Sequence, residues 1–487
     1  MRSFARTAFG ALSALLIGMS AHAGPDIPIG PSDSIQDTID AAPDGARILL
    51  DPGVYTQSFE IIQTGRELTI EGAGPGQTIL DGENMRRIAE INENGAPITL
   101  RGMTLRNGRR EGPGDQNGAA LLSRHTALTV DNCVFSDNAI FRTSDFGQTF
   151  GGAALFENFN DSDLALLVID CIFENNSAGA TPQDEFEPNM VAGGAVRVAW
   201  LGAARFENCR FENNHAMNPD GEVLGGALET QGDLIVLERC VFRNNTVTGD
   251  TAVGGGVAIR NSATLSSCLL EGNEAGGGQA GGGGAYIASP FDIPVELLHC
   301  TIVNNTVSVS PGGGGVFQIS SIEISIVNSI ITDNTAPAGD DLSGNYVDLR
   351  HSLVGDLSGS TFTGEQEGNL IGVSPMFVDA SGGDFRLSAR LALHRRRGHT
   401  RHLPRRTRVR CQRRAARRRR SRHHQHRGRH QHAPRPRGVG HGRIRVPARR
   451  MPRRSVGQRE RGLCRSRGAA RRLGAVSIEE EASGISC

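Results

Sequence analysis

Six cysteines, Cys133, Cys171, Cys209, Cys240, Cys268 and Cys300, are the reactive side chains that recur most regularly in this sequence. An even set of thiols suggests disulfide bridges. A bridge needs Cβ vectors that converge. All six, however, occupy one slot of a repeated pattern and so point the same way. Ser329 fills that slot in a further copy, and serine cannot bridge. The six are therefore expected as a buried file of small apolar thiols. Arg197 and Glu229 each follow a Gly-Gly-Ala-apolar segment and can pair across neighbouring copies, which reads as a surface ion pair rather than a catalytic couple. Ala258, Ile287 and Phe317 follow the other segments, so no ladder of carboxylates runs along this position. Asp161 with Asp163, and Asp340 with Asp341, sit in turn-like contexts. His125, His215, His299 and His351 share no metal-ligand spacing.

The pattern that must position these residues is apolar-x-apolar-x-x-Cys-x-apolar-x-x-Asn. It begins with Leu128, Val130, Cys133, Phe135 and Asn138, and recurs with Leu166, Val168, Cys171, Phe173 and Asn176. Five further copies end at Asn214, Asn245, Asn273, Asn305 and Asn334. Successive Cys/Ser slots lie 38, 38, 31, 28, 32 and 29 residues apart. A unit that varies in length yet keeps its pattern reads as one coil of a solenoid. Apolar residues two apart share a strand face. The three-residue step from Val130 to Cys133 breaks that parity and predicts a bend, so each coil carries several short strands. Stacked strands lie about 4.8 Å apart, which brings the Asn side chains within reach of one another as a ladder. The expectation is an all-β parallel β-helix from about Ser34 to Ser388. Ser34 caps a helix over residues 35–42, whose Ile35, Ile39 and Ala42 share a face and close the solenoid's first end.

Gly193-Gly194-Ala195-Val196, Gly225-Gly226-Ala227-Leu228 and Gly283-Gly284-Ala285-Tyr286, paired with the Phe-x-x-Asn segments, resemble the repeats of polymorphic outer-membrane proteins. More broadly, residues 34 to 388 resemble right-handed parallel β-helix proteins with a pectate-lyase-like fold. Enzymes of that kind imply acidic residues gathered for calcium and an Arg or Lys base, and hydrolases on the fold imply paired carboxylates. The residues above form no such constellation. The favoured reading is an exported surface, adhesive or carbohydrate-binding scaffold with no cofactor, whose partner is an extracellular polysaccharide or another cell-surface component. The alternative is a lyase or hydrolase of an acidic polysaccharide, with calcium as a cofactor and its site in the insertions 139–150 and 179–192.

Residues 1–23 read as a secretory leader: Arg2 and Arg6, an apolar run, then Ala21-His22-Ala23. No other segment is long and apolar enough to span a bilayer. Residues 24–388 form the expected β-helix domain and 389–487 an arginine-rich, disordered tail. Residues 1–389 hold 20 arginines against 48 acids, which argues against nucleic-acid and anionic-membrane partners for the body. Residues 390–487 hold 32 arginines, 4 acids and no aromatic residue for base stacking. The tail starts inside a closing coil, Asp384-Phe385-Arg386-Leu387-Ser388, and its composition reads as translation in the wrong frame. Shifting the codons of residues 390–399 by one base permits G-S-P-C-I-D-A-G-D, which resembles the ending of exported β-helix proteins. The same shift over 435–450 permits D-L-G-A-W-D-M-G-A-F-E-F. Over 451–472 it permits C-P-A-D-L-S-G-N-G-S-V-D-F-A-D-L-V-A-L-L-G-A, with the acid-x-polar-Gly spacing of a dockerin-like calcium repeat.

Overall fold

Three backbone positions in the left-handed region turn each coil. In the coil of Cys171 they are Asp170 (φ 53°), Asn175 (φ 57°) and Gly193 (φ 71°). The first lies just before the cysteine slot, the second just before the asparagine slot, and the third at the glycine pair. Asn, Asp and Gly bear this conformation at least cost. The bend expected between Val130 and Cys133 is Asn132, at φ 50°. The glycine pair answers two demands. Gly193 supplies the left-handed turn, while a Cβ on Gly194 would sit 2.0 Å from the carbonyl oxygen of Gly226 in the next coil.

The computed structural model describes residues 24–388, apart from 145–146, 160–162, 182–189, 289–293, 310 and 320–322. The leader, the arginine-rich tail, Asp161 and the middle of the second insertion lie outside the described residues. Between bends run short strands, such as Ala165–Ile169, Ile172–Glu174 and Ser177–Ala180. Each pairs in parallel with its counterpart one coil on: Leu166 with Ala204, Phe173 with Phe211, Ala178 with Ala216. Three long parallel sheets result. Sheet A, of 22 strands, carries both the strand before the Cys slot and the strand after the glycines. Sheet B, of 12, carries the apolar slot after the cysteine, and sheet C, of 11, follows the asparagines. Sheet B has one strand per coil, so at about 4.8 Å per coil the solenoid is roughly 50 Å long. This is a parallel β-helix.

Its interior is built of ladders. The rings of Phe135, Phe173, Phe211 and Phe242 stack at 4.7, 4.9 and 4.8 Å, the spacing of the strands that carry them. The six cysteines are buried and unbridged. Each thiol lies near carbonyls of its own and the preceding coil, as Cys171 Sγ does at 3.2 Å from Ile169 O and 3.5 Å from Val130 O. Burial pushes the thiols of Cys171, Cys240 and Cys268 well up, which keeps them protonated and inert. Ser329 holds the same slot, donating to Val327 O at 3.0 Å and Leu297 O at 3.3 Å. The file continues beyond the repeat to Ser352, whose hydroxyl accepts from the Ser329 amide at 3.1 Å.

The asparagine ladder is fully satisfied. Asn214 Oδ1 accepts from the Asn176 backbone amide and from Asn176 Nδ2, both at 3.0 Å. Asn214 Nδ2 donates to Asn245 Oδ1 and to Phe173 O, both at 2.9 Å. The same bonds recur from Asn138 to Asn334. The last rung is Asp341, not the turn residue its context suggests. Its Oδ1 accepts from Asn334 Nδ2 at 2.8 Å, and its Oδ2 from the Asp356 amide at 2.7 Å. The chain turns back seven residues after Asn334 and offers a carboxylate where the next asparagine would stand.

Helix α1, Ile35–Ala41, closes the first end, with Ser34 accepting from the Asp37 amide at 3.1 Å and Ile35 and Ile39 fully buried. It also blocks an edge. The Gln36 amide donates to Glu60 O at 3.1 Å and accepts from Glu60 N at 2.8 Å, standing in for a further strand beside Phe59–Ile62.

Two outcomes follow for stability. Asn214→Ala removes four buried side-chain hydrogen bonds and should cost about 4 kcal/mol in urea unfolding, whereas Cys240→Ser should stay within about 1 kcal/mol because serine already serves in that slot. Burial raises the Asp341 carboxyl above its ordinary value, against the hydrogen bonds from Asn334. Ionising it thus costs more folded than unfolded, and its contribution to stability falls as pH rises from its unfolded value, near 4, through its folded one. The stability of Asp341→Asn relative to the parent should rise over that interval and level off above it.

Candidate functional site

The strand that follows the glycine pair alternates as strands must. In Val196-Arg197-Val198 the valines enter the core and Arg197 faces out. Parallel register stacks the outward residues of successive coils as Leu122, Leu155, Arg197, Glu229, Ala258, Tyr286 and Phe317. This corrects the sequence alignment at one rung. The run of glycines before Ala285 allows two registers, and the structure takes the one that puts Tyr286 in the row and Ile287 in the core.

Outward here does not mean solvated. Where sheet C turns into sheet A, the last residues of its strands, Phe150, Ala192, Leu224 and Val253, pack on this row as a second small core. Arg197 and Glu229 pair at 2.9 Å, with side chains only 7% and 0% exposed. The expected surface ion pair is thus a buried one, because a neighbouring sheet covers the face that strand parity left open. The Arg197 guanidinium also lies 3.5 Å from the centroid of the Phe150 ring. Arg260 comes within 3.7 Å of Glu229 Oε1 and keeps about a third of its surface exposed, 33%.

At the edge of this cluster Arg260 Nη1 lies 3.6 Å from Met190 Sδ, and Met190 and Phe317 pack, partly buried, against the buried Tyr286. The Tyr286 and Phe317 rings stand 6.0 Å apart, tilted by 39°. Burial, with Glu222 nearby, pushes the Tyr286 hydroxyl up to about 12, so it stays a neutral hydrogen-bonding group. Phe317 and Arg260 thus keep part of their surface open at this angle, with the Tyr286 ring buried beneath them.

The remaining outward faces differ in kind. On the other column of sheet A and on sheet B, charges alternate in ladders, as in Arg47 with Asp26 and Glu71, Arg101 with Asp131, and Arg243 with Glu212 and Glu271. Solvated pairs of this sort contribute little beyond solubility and register. Three of the four histidines, His125, His299 and His351, are bend residues at positive φ. His215 Nδ1 lies 2.6 Å from Thr246 Oγ1. Asp340 accepts from the Ala336 amide at 2.9 Å. Among the described residues, no group of three or more His, Cys, Asp or Glu is placed to hold a metal ion. The cysteine and asparagine ladders are buried inside the solenoid.

Residues 87–293 match the model of the right-handed beta helix region. This match and the strand pairing both fit a right-handed parallel β-helix. A PL6 family polysaccharide lyase from Pseudopedobacter saltans is similar at 12% identity and a TM-score of 0.33, covering 74% of this chain and 96% of that one. The A-module of mannuronan C-5 epimerase AlgE6 from Azotobacter vinelandii gives 13% and 0.26, over 69% and 93%. A mannuronic acid-specific family 6 lyase from human gut microbiota gives 12% and 0.31, over 70% and 91%. Likenesses this loose transfer neither residues nor activity. No curated protein matches the chain significantly.

Removing one half of the buried pair should be far worse than removing both. Glu229→Ala leaves Arg197 charged and buried and should cost about 3–5 kcal/mol in thermal or urea unfolding, while Arg197→Met with Glu229→Leu should fall within about 1 kcal/mol of the parent.

Proposed function

We propose that the chain is an exported β-helix scaffold that holds an extended carbohydrate along the angle between sheets A and C. Tyr286, Phe317 and Arg260 are the contact residues. The observation that carries this reading is their convergence: the row that bears them is covered by a second small core instead of an ion-pair ladder. Aromatic faces pack on the C–H faces of sugar rings, and a guanidinium fork engages hydroxyl or carboxylate groups. The coils repeat at about 4.8 Å, so a regular polymer lying along the axis meets equivalent backbone at each coil. An acidic body suits an extracellular or outer cell-surface setting and disfavours nucleic acid. The role is binding without cleavage, since Arg197, the arginine of the row itself, is held by Glu229 and stacked on Phe150.

Binding of the full chain to immobilised neutral and acidic polysaccharides tests this. Tyr286→Phe and Arg260→Ala should each weaken retention about tenfold at an unchanged melting midpoint. Equal retention by both variants, or release of unsaturated or reducing ends by the parent, would overturn the reading.

A further inference from the structure

Two facing rows, one step out from its corner, form the walls of the angle between sheets A and C. On sheet C, strand alternation puts Met190, Glu222, Thr251 and Gln279, stacked in register, on the face that bears Ala192, Leu224 and Val253. On sheet A the matching row runs Arg124, Glu157, Ala199, Gln231, Arg260 and Ala288. The approach of Arg260 Nη1 to Met190 Sδ, at 3.6 Å, shows that the two rows face each other. Glu222 and Gln279 are exposed, and Thr251, Gln231 and Ala288 half-buried.

Charge in this angle is nearly cancelled. Arg124 pairs with Glu157 at 2.7 Å, and Arg197 with Glu229 at 2.9 Å. Arg260 is the remaining guanidinium of these rows among the described residues, and Glu222 stands on the facing wall. A polyuronate carries a charge on every ring. Holding one would take a file of cations, set against a body with 20 arginines to 48 acids in residues 1–389.

One acceptor at the corner is left over. Glu229 Oε2 takes the hydrogen bond from Arg197, but Oε1, fully buried, has no hydrogen-bond partner among the described residues. Arg260 Nη1 stops at 3.7 Å, too far for a direct bond, and of the two side chains it is Arg260, 33% exposed, that reaches solvent. An unmet buried carboxylate oxygen is costly. The gap calls for a group that gives a proton to Oε1 and accepts one from Nη1. A hydroxyl, of water or of a sugar, does both, and two bonds of about 2.8–2.9 Å span such a gap. A ligand carboxylate has no proton to give and meets Glu229 as a like charge.

We infer that the ligand of this angle is a neutral, hydroxyl-rich polysaccharide, one hydroxyl of which bridges Arg260 Nη1 and Glu229 Oε1 while others meet Gln231, Thr251 and Gln279. This rests on the binding reading above and narrows it to one class of polymer. Rotation of Arg260, the partner that reaches solvent, opens the way to the buried oxygen.

The test compares retention of the full chain on immobilised polygalacturonate and on the same polymer with its carboxyl groups reduced to alcohols, alongside neutral β-glucan, mannan and xylan. The reduced polymer should be held about tenfold more tightly than its acidic parent. Retention on the neutral polymers that bind should change by no more than about twofold up to about 1 M salt, where exposed charges are screened beyond about 3 Å. Arg260→Ala should weaken it. Polygalacturonate held as tightly as its reduced form, or more so, or neutral retention that falls steeply with salt, would overturn the inference. If Arg260→Ala still weakens that retention, the angle remains the binding site and only the class of polymer is wrong. Retention of none of these polymers, or equal retention by Arg260→Ala, would sink the binding reading and this inference together.

Discussion

A buried side-chain amide that bonds its counterpart in the next coil and the backbone beside it is the constraint on which the rest depends. Each rung from Asn176 to Asn334 spends both of its hydrogens and accepts twice through its oxygen. A buried amide that missed its partner would cost as much as a core cavity, so the ladder locks the angular register of every coil. With that register set, phenylalanines fall over phenylalanines and thiols over thiols. Coils then differ only in the loops between bends. The variation in repeat length is absorbed there, and the interior does not sense it.

The same register places chemistry on the outside. Because residues at equivalent positions stack about 4.8 Å apart, a substitution in one coil acts on its neighbours above and below. Most outward rows use this to alternate arginine with carboxylate. The row after the glycine pair departs from that rule. Its charged members, Arg197 and Glu229, are sealed under Phe150, and its aromatic members, Tyr286 and Phe317, follow two coils on. A tight turn between sheets C and A, made in successive coils by a left-handed glycine such as Gly118, Gly151, Gly193 and Gly225, is what folds one sheet's end against the other.

Much of this was legible in the sequence. The eleven-residue pattern, the shared cysteine slot with Ser329, the asparagine file and the capping helix follow from periodicity and hydrogen-bonding capacity. The candidate site was less so, for three physical reasons. Strand parity says that Arg197 points away from the core, but not that another sheet covers it. The run of glycines before Ala285 carries no side chains to set register, so Tyr286 and Ile287 are interchangeable until neighbouring coils choose. Rungs that change residue type escape a pattern search: Ser352 extends the cysteine file and Asp341 ends the asparagine ladder. Bends at Arg239, Ser267 and His299 show stacking overriding the local preference for asparagine.

The claim that ligand lies in the angle between sheets A and C is most directly tested by amide hydrogen exchange on the full chain, with and without a polysaccharide that it retains. The account predicts added protection in Ala285–Ala288 and Val316–Gln318, the strands that carry Tyr286 and Phe317. Protection confined instead to the ion-pair ladders, around Leu128–Asp131 or Val241–Arg243, would contradict it.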